Sequence, residues 1–429
     1  MKLTQDEKDI LAGGKGAVLQ KIMKSLVLYG EALDAERLID IEWPGHFAIP
    51  RAIPGVGLRN EMLDELVGAG LKTKFPFTLD PMPPLDFENL FVTDEQKRSI
   101  EEMLTNQQVY NQRMLQLGLR DKDAYTCTPY FPEVGNIPPK GTILAWSESS
   151  CVVYANSVLG ARTNRNAAIM DICSNIVGKT PLTGFLTDEG RRASWKIEVE
   201  TTNLPNPQLL GAAIGTKVLE DVPYITGLDR FLGTEINEAV RDFLKEMGAA
   251  CAAIGAVGLY HIENSTPEAI EQGDDLLLPD YRIYCIGDSE LKNLMDSYPV
   301  MWSDEKAKPK KCLIGCPHLS LRELELWDTH IRAALEAHQK KRVAVDTVLC
   351  AAPQVLVEFK ADTERYANLK NAGIRLSGTC IEAYMNDQLC AREPVITNSN
   401  KFRTFTPARM FFDKDLLEII VTGEIKEED

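Results

Sequence analysis

Polar side chains that could do chemistry are concentrated between residues 125 and 165 of this 429-residue chain. The segment starts with Tyr125-Thr-Cys-Thr-Pro-Tyr130, continues through Trp146-Ser-Glu-Ser-Ser150 and ends with Asn156-Ser-Val-Leu-Gly-Ala-Arg-Thr-Asn-Arg165. A thiol, a carboxylate, hydroxyls, amides and two guanidinium groups are costly to bury unless something binds them. Their density predicts a site for an anionic ligand, which could lie beside a metal.

The groups within this stretch each allow two interpretations. The hydroxyls of Ser147, Ser149 and Ser150 and the carboxylate of Glu148 could hold a hydroxylated substrate or transfer protons. Alternatively they begin a helix, since Ser and Glu are suited to its first residues. Arg162 and Arg165 could clamp a carboxylate or phosphate through paired N–H groups, or form surface ion pairs in an acidic chain. Lys401 adds one cation in a polar loop that follows Thr397-Asn-Ser-Asn400.

Three of the ten cysteines stand out as candidate ligands. Cys316 comes just before the capping-box pattern Ser320-x-x-Glu323, where a helix N-terminus would stabilise a thiolate. The alternative is a small buried residue in a tight turn, and Cys380 has the same ambiguity. Cys127, between two threonines, is better explained as a loop ligand than as core. For the other seven cysteines core packing is the better explanation.

Several common sites are missing from the sequence. It has no Cys-x-x-Cys pair and no spaced histidines, which argues against a local zinc site. It also lacks a Gly-x-Ser-x-Gly elbow, a Walker A loop and a Gly-x-Gly-x-x-Gly motif, which removes the commonest hydrolase, NTPase and dinucleotide-binding interpretations. His46 is either a loop residue near a site or a structural histidine.

The elements that must position these groups are clearest in the last third. Residues 281–286, 311–315, 342–350 and 374–380 are predicted strands, and 289–297, 321–339 and 353–372 are the predicted helices between them. Such alternation predicts a parallel sheet covered by helices. Because ligands bind beyond the carboxyl ends of parallel strands, thiols near these ends could converge on one edge.

The first two thirds are harder to interpret. A capping box at Thr4-x-x-Glu7 predicts a helix through about residue 29, another helix is predicted over 99–118, and 75–84 is a proline-rich connection. Small-residue stretches at 211–215 and 249–258 permit close packing of backbones. We expect an N-terminal α/β region over 1–120, a central region lining the site over 121–275 and a doubly wound α/β domain over 276–429.

Composition restricts the partners. The formal net charge of -16 argues against nucleic acid or an anionic membrane surface as the main partner. No apolar run reaches the roughly 18–20 residues that span a bilayer, and the N-terminus lacks the pattern of a signal peptide. We therefore expect a cytoplasmic protein with mostly free thiols, which interacts with neither nucleic acid nor membrane.

The motifs of the 125–165 stretch, together with Ile314-Gly-Cys-Pro-His-Leu-Ser320, resemble the catalytic large subunit or domain of the aconitase X family. The resemblance covers nearly the whole chain, and the string from Ala155 to Arg165 is its most specific part. It implies an aconitase-like, multi-domain α/β/α fold with parallel-sheet domains. It also implies an iron–sulfur hydro-lyase that dehydrates a small hydroxy acid, either cis-3-hydroxy-L-proline or mevalonate 5-phosphate.

The resemblance assigns roles to the candidate residues. It implies an iron–sulfur cluster held by three cysteines, for which Cys127, Cys316 and Cys380 are the best candidates, with iron acting on the departing hydroxyl while a base removes a proton. We assign Ser147, Glu148, Ser149 and Ser150 to catalysis. The residues assigned to substrate binding, mainly as a carboxylate clamp, are His46, Asn156, Ser157, Arg162, Thr163, Asn164, Arg165 and Lys401.

The resemblance also implies a partner. Family members need a small swivelling domain that contributes a catalytic serine, and this chain is too short to contain it, so we expect a separate small subunit. Where the family pattern has Gly or Ala before the late lysine, this chain has Asn400, which puts the substrate-binding role of Lys401 in question. The absence of an extra basic cluster favours hydroxyproline slightly over a phosphorylated acid. A non-catalytic sensor and a cluster-free metabolite-binding protein are the alternatives from other classes.

Overall fold

The computed structural model describes residues 1–48 and 56–426. Its strands are β1 (Leu38–Asp40), β2 (His46–Phe47), β3 (Thr78–Leu79), β4 (Lys179–Pro181), β5 (Ala193–Val199), β6 (Pro223–Thr226), β7 (His261–Ile262), β8 (Leu277–Ile286), β9 (Lys311–Leu319), β10 (Asp346–Ala351), β11 (Ile374–Ser377), β12 (Val395–Thr397) and β13 (Arg409–Met410).

The α-helices of the described residues are α1 (Gln5–Leu11), α2 (Ala17–Ala32), α3 (Val56–Gly68), α4 (Asp94–Met103), α5 (Gln107–Leu117), α6 (Ser149–Ser157), α7 (Ala168–Val177), α8 (Pro207–Val218), α9 (Asp229–Leu232), α10 (Glu238–Gly255), α11 (Pro267–Gln272), α12 (Asp288–Asp296), α13 (Leu321–Ala337), α14 (Pro353–Ala361), α15 (Thr363–Ala372), α16 (Ile381–Tyr384), α17 (Gln388–Ala391), α18 (Asn400–Phe405) and α19 (Asp413–Thr422). Short 3₁₀ turns cover Phe87–Asn89, Gly184–Leu186, Glu189–Arg191 and Gly273–Leu276.

Two parallel sheets organise the molecule, as expected for the α/β class. The C-terminal sheet has the strand order β11-β10-β9-β12-β13, and the central sheet has the order β7-β6-β5-β8. In the C-terminal sheet the chain moves outward from β9 through β10 to β11 and then returns to place β12 on the other side of β9. The order therefore reverses between β9 and β12, the place where doubly wound sheets form a crevice for ligands.

The predicted strand at 281–286 exists but belongs to a different sheet from the one expected. It lies in β8, which pairs in parallel with β5 from Trp195↔Arg282 to Val199↔Ile286. The expectation that it joins the C-terminal sheet is therefore wrong, and the pairing crosses the boundary expected between residues 275 and 276. Strand alternation in the sequence cannot reveal this, because a parallel partner is chosen by packing rather than by chain order.

The N-terminal helices are shorter than the sequence predicts. The capping box at Thr4 forms, but α1 ends at Leu11 and α2 begins at Ala17. Gly13 and Gly16 between them have φ of +92° and +100°, conformations that only glycine adopts readily, so they interrupt the helix. The helix expected over 99–118 is likewise divided into α4 and α5.

Helices α8 and α10 pack against each other with their backbones in contact. A Cβ at Gly211 would lie 2.2 Å from the carbonyl oxygen of Met247, and one at Gly255 would lie 2.2 Å from that of Gly215. The small-residue stretches thus let two backbones touch, as the sequence predicts. One continuous apolar cluster contains residues of both sheets, among them Ile197, Ile314 and Leu349. No helix among the described residues is long and apolar enough to span a membrane.

Candidate active site

A cavity of about 460 Å³ opens at the crevice where the C-terminal sheet reverses its strand order. Cys316 reaches it from β9, Lys401 from the helix that follows β12, and Cys380 from the segment that follows β11. Residues of the polar 125–165 stretch form another wall. The described lining is Ala48, Asp80, Pro81, Cys127, Ser147, Glu148, Ser149, Gly315, Cys316, His318, Cys380, Ile381, Glu382, Asn386, Lys401 and Phe405.

Cys316 enters the cavity because β9 leaves the regular ladder at this point. Ile314 pairs with Leu349 and Leu319 pairs with Ala351, so the intervening residues of β9 form a bulge. Gly315 starts the bulge with φ +111°, and a Cβ there would lie 2.3 Å from the carbonyl oxygen of Cys350. A bulge of this kind re-aims a side chain next to a site. It ends in the predicted capping box, where Ser320 begins α13.

Cys127 and Cys380 come from segments far apart in the sequence. The sulfur of Cys127 accepts a hydrogen bond from the backbone N–H of His318 at 3.2 Å, which ties its loop to the bulge of β9. Cys380 is the N-cap of α16, and its sulfur accepts from the backbone N–H of Ala383 at 3.4 Å. Its own N–H donates to the carbonyl oxygen of Met82 at 2.8 Å, within the proline-rich connection.

The donor set suits a metal cluster with cysteine ligands. Burial raises the pKa of both the Cys127 and the Cys316 thiols, and the positive charge of Lys401 only partly offsets this effect. A thiol that is hard to ionise in a buried wall becomes a thiolate only when a cation compensates its charge. All ten cysteines lie in the described part of the chain and none forms a disulfide, and these three line the cavity.

Glu148 and Lys401 form a buried ion pair on the cavity wall. The Lys401 ammonium donates to Oε1 of Glu148 at 2.6 Å, and Oε2 accepts from the hydroxyl of Ser150 at 2.6 Å and from the N–H of Cys151 at 2.7 Å. Burial alone would raise the pKa of Glu148, but the charge of Lys401 and these hydrogen bonds outweigh it and lower the pKa. The carboxylate therefore stays ionised.

The serines around Glu148 lie at different depths. Ser147 and Ser149 line the cavity, whereas Ser150 is buried behind Glu148. The Ser147 oxygen accepts from the backbone N–H of Ala48 at 3.0 Å, so its own proton can be donated elsewhere. Glu148 is the N-cap of α6, which points the N-terminus of that helix at the cavity. These residues therefore begin a helix and also line the cavity, so the two interpretations given above are compatible.

The unusual Asn400 does not displace Lys401 from the cavity. Its backbone N–H donates to Oε1 of Gln208 at 2.9 Å, its amide nitrogen to the carbonyl oxygen of Gln208 at 3.4 Å, and its Oδ1 accepts from Arg403 at 2.8 Å. The Asn400 side chain is thus used inside the protein. Ser399 caps the same helix, and its hydroxyl donates to the carbonyl oxygen of Cys316.

The expected carboxylate clamp is not part of this cavity in the described structure. Arg162 forms an ion pair with Asp188 at 2.5 Å and lies 3.7 Å from Glu268. Arg165 donates to the carbonyl oxygen of Ala256 and stacks over the ring of Phe185 at 5.7 Å. Both guanidinium groups are thus engaged by the protein itself, on segments away from the cysteines.

The remaining residues of the expected clamp support the fold around α6. Asn164 holds the turn at Thr183–Phe185 through Thr183 O and Phe185 N, at 3.0 and 2.8 Å. The hydroxyl of Ser157 accepts from the N–H of Tyr260 at 2.9 Å, and that of Thr163 accepts from the N–H of Trp146 at 3.0 Å. These polar groups are satisfied by backbone rather than by a ligand.

Asn156 belongs to a sealed network at the C-terminal end of α6. Its Oδ1 accepts from Thr163 N at 2.9 Å and from Arg191 at 3.3 Å. Arg191, 1% exposed, donates in addition to Glu268 at 2.7 Å. His261 Nε2 lies 2.8 Å from the carbonyl oxygen of Arg191, and burial lowers the pKa of His261 to about 4. Of this network, only Asn156 is among the site residues predicted from the sequence.

His46 lies one layer behind the cavity wall. Its ring is fully buried, contacts Trp146 edge-on at 5.6 Å and places Nδ1 2.9 Å from the hydroxyl of Thr78. Burial lowers the pKa of His46 to about 4, so the ring is neutral. Its Nε2 lies 3.9 Å from Oδ1 of Asp80, which lines the cavity, whereas His46 itself does not.

Three polar lining residues were missed. Asp80 lies in the segment interpreted only as a proline-rich connection, and Glu382 and Asn386 follow Cys380 in and beyond α16. For Glu382, the available signal in the sequence is its position two residues after Cys380, a candidate cluster ligand. Their recognition required knowing that 80–82 and 379–380 run side by side, as the bridge between Met82 and Thr379 shows.

Comparisons with known proteins show what the chain is similar to. A family profile described as "Aconitase X first domain" matches residues 1–189, and one described as "Aconitase X second domain" matches residues 193–296. A phosphomevalonate dehydratase large subunit of Thermococcus kodakarensis is 35% identical over 333 residues, 76% of each chain. A cis-3-hydroxy-L-proline dehydratase of Pseudomonas aeruginosa is 26% identical over 95% of this chain and 66% of its own length.

The fold has a counterpart among solved structures. The crystal structure of Thermococcus kodakaraensis aconitase X in its holo form superposes with a TM-score of 0.81 at 30% sequence identity, over 99% of this chain and 100% of that chain. The expected multi-domain α/β architecture with parallel sheets is therefore confirmed.

Proposed function

Because the chain belongs to the aconitase X family, we propose that it is the large subunit of an iron–sulfur-dependent dehydratase that acts on a small hydroxy acid. One observation carries the site assignment: Cys127, Cys316 and Cys380 come from three distant segments and line the same cavity as the Glu148–Lys401 ion pair. Three thiolate ligands would hold the cluster. When bound, it would supply a Lewis-acidic iron for the departing hydroxyl group.

The residues of this chain bind and orient the substrate. Lys401 supplies the positive charge for an anionic group, and Glu148 fixes the position of the ammonium. The hydroxyls of Ser147 and Ser149 can donate to substrate oxygens, the latter at the N-terminus of α6, where the helix dipole favours negative charge. Ser150 keeps the Glu148 carboxylate in place. The related protein is named a large subunit, which supports a small partner subunit, and that partner would bring the catalytic serine.

Two substrates are each favoured by a separate observation. A phosphorylated hydroxy acid is favoured by the relative named as a phosphomevalonate dehydratase large subunit, because the two chains match over equal shares of their lengths. A hydroxyproline-type acid is favoured by the charge of the wall: Lys401 is the one cation among the described lining residues, beside Asp80, Glu148 and Glu382. Turnover of mevalonate 5-phosphate and cis-3-hydroxy-L-proline by the complete enzyme decides between them.

The cluster assignment is tested by two cysteine substitutions on the same strand. Cys316→Ser should lose iron and visible absorbance after anaerobic purification, whereas Cys312→Ser, which is buried in β9 outside the cavity, should keep both. Unchanged iron content in Cys316→Ser would overturn the ligand assignment. The partner assignment is tested by activity: the isolated chain should be inactive or nearly so, and full turnover without a small subunit would contradict it.

A further inference from the structure

A chain of buried polar contacts behind the cavity joins two of its walls. Lys245 lies on α10 with a fully buried side chain, and its ammonium donates to the carbonyl oxygen of His318 at 3.2 Å. His318 belongs to the bulge of β9 that presents Cys316, and its backbone N–H donates to the sulfur of Cys127. The position of Lys245 is therefore coupled to two of the three cysteines.

Two carboxylates hold the Lys245 ammonium in this position. Glu246 approaches it at 3.0 Å, and Glu323 forms a second ion pair with it. Glu323 also accepts from the N–H of Ser320 at 2.7 Å, in the capping box at the start of α13. Burial opposes the charge of Lys245, but the carboxylates, Glu323 first, outweigh it and raise the pKa of the lysine. The cation is permanent, so the contact with His318 is charge-assisted.

The same contacts continue to the helix that carries Lys401. Glu246 accepts from the amide of Gln208 on α8. Gln208 in turn accepts from Asn400 twice, through Oε1 from the backbone N–H and through its carbonyl oxygen from the side-chain amide. Asn400 is the residue before Lys401 at the start of α18. Each donor in this series has an acceptor, and none of its members lines the cavity.

We propose that Lys245, Glu246, Gln208 and Asn400 act together as a positioning relay that holds the Cys316–His318 bulge and the neighbouring Lys401 helix in one fixed arrangement at the cavity. The proposal rests on the proposed function, in which these two walls carry a cluster ligand and the substrate-binding cation. Buried networks whose polar groups are all satisfied fix one arrangement of the elements they join, and second-layer contacts orient ligands in this way.

The test compares Gln208→Leu with Gln20→Leu in the complete enzyme. Gln208→Leu removes the side-chain links to both Glu246 and Asn400, whereas Gln20→Leu removes an amide contact to Leu11 O between α1 and α2. We expect Gln208→Leu to raise KM for the hydroxy acid about tenfold or more with iron content unchanged, because the Lys401 helix loses one of the contacts that hold it in place. Gln20→Leu should leave KM unchanged, and equal kinetics of the two variants would overturn the proposal.

The other end of the relay is tested without turnover. In iron-free protein, alkylation of Cys127 and Cys316 by a thiol reagent, followed by mass spectrometry, should be at least about tenfold faster in Lys245→Met than in the parent, and Lys245→Arg should restore most of the protection. If Lys245→Met does not fold, Gln208→Leu decides the proposal on KM. Thiol reactivity unchanged in folded Lys245→Met would overturn it. If the parent complex turns over no hydroxy acid, the proposed function fails, while the alkylation result still decides the relay.

Discussion

The two ends of helix α6 carry buried ion networks of similar chemistry in different surroundings. At its N-terminal end Glu148 pairs with Lys401, and both side chains line the cavity. At its C-terminal end Asn156 joins Arg191, which pairs with Glu268 in a region that contributes nothing to the described cavity lining. A nine-residue helix thus separates a charged pair that a ligand can reach from one that it cannot.

The difference shows which buried charges to assign to function. Removing one member of a sealed pair leaves the other without compensation, which destabilises a protein by about 3–5 kcal/mol. A pair beside a cavity can be compensated by water or by a ligand, so its removal affects binding and turnover more than folding. The type of residue does not distinguish the two cases, whereas access does.

The largest effect is expected from Arg191→Met. It removes the guanidinium that donates to the Glu268 carboxylate and to both oxygens of Asn156, and we expect the free energy of unfolding to fall by about 3–5 kcal/mol in chemical denaturation. Iron content of the folded fraction should not change. If the cavity pair were equally sealed, Lys401→Met would lower stability as much, so equal losses in the two variants would remove the distinction.

The second effect is on turnover. Glu148→Gln removes the charge that fixes Lys401 while keeping the shape of the side chain, and we expect kcat/KM to fall at least about 10²-fold, or about 2.7 kcal/mol in transition-state stabilisation. Its unfolding free energy should change by less than about 1 kcal/mol. A stable variant with normal kinetics would show that the cavity pair is structural after all.

A smaller effect appears as a pH dependence of the sealed network. Burial lowers the pKa of His261 from its ordinary value of 6.5 to about 4, so the unfolded chain binds the proton more readily. The stability contributed by neutral His261 is complete above pH 6.5 and is lost as the pH falls towards 4. His261→Gln should reduce the slope of unfolding free energy against pH in this window by at most about 1.4 kcal/mol per unit. An unchanged slope would contradict the assignment.

The smallest effect concerns the residue that the sequence placed in the clamp. Arg162 pairs with Asp188, whose side chain is 90% exposed, and such pairs contribute about 0–1 kcal/mol. Arg162→Ala should therefore change stability by less than about 1 kcal/mol and leave KM for the hydroxy acid unaltered in steady-state kinetics. A KM raised tenfold would restore Arg162 to substrate binding.

The sequence predicted the parts of the site that depend on local signals. The capping box at Ser320 and the threonines around Cys127 are local, and the structure brings Cys127, Cys316 and Cys380 to one cavity. The strand predicted to end at residue 315 instead continues through Leu319, so Cys316 lies inside β9, whereas Cys380 lies beyond the end of β11 at Ser377. The family resemblance selected the same cysteines. The C-terminal strands were predicted for the same reason, since hydrophobic periodicity is a local property.

The sequence did not predict what depends on distant partners. Arg162 and Arg191 both follow α6 in the sequence. The Glu268 carboxylate that pairs with Arg191 is 77 residues away, so nothing local indicates which of the two arginines is buried. The sequence therefore predicts a role for Arg162, which is half-buried, and none for Arg191, which is buried. Asp80 was not predicted because the proline-rich connection gives no local sign that it runs beside the segment after β11.

The touching backbones of α8 and α10 have a mechanical consequence. Helices that interlock through glycine cannot slide past each other without first separating, so they transmit displacement as one rigid body. Gln208 lies on one of them and Lys245 on the other, and each reaches a different wall of the cavity. This half of the enzyme should therefore stay rigid when a substrate binds. Any closure over a substrate would then come from movement of other parts of the enzyme. Amide hydrogen exchange in α8 and α10 should be among the slowest in the chain.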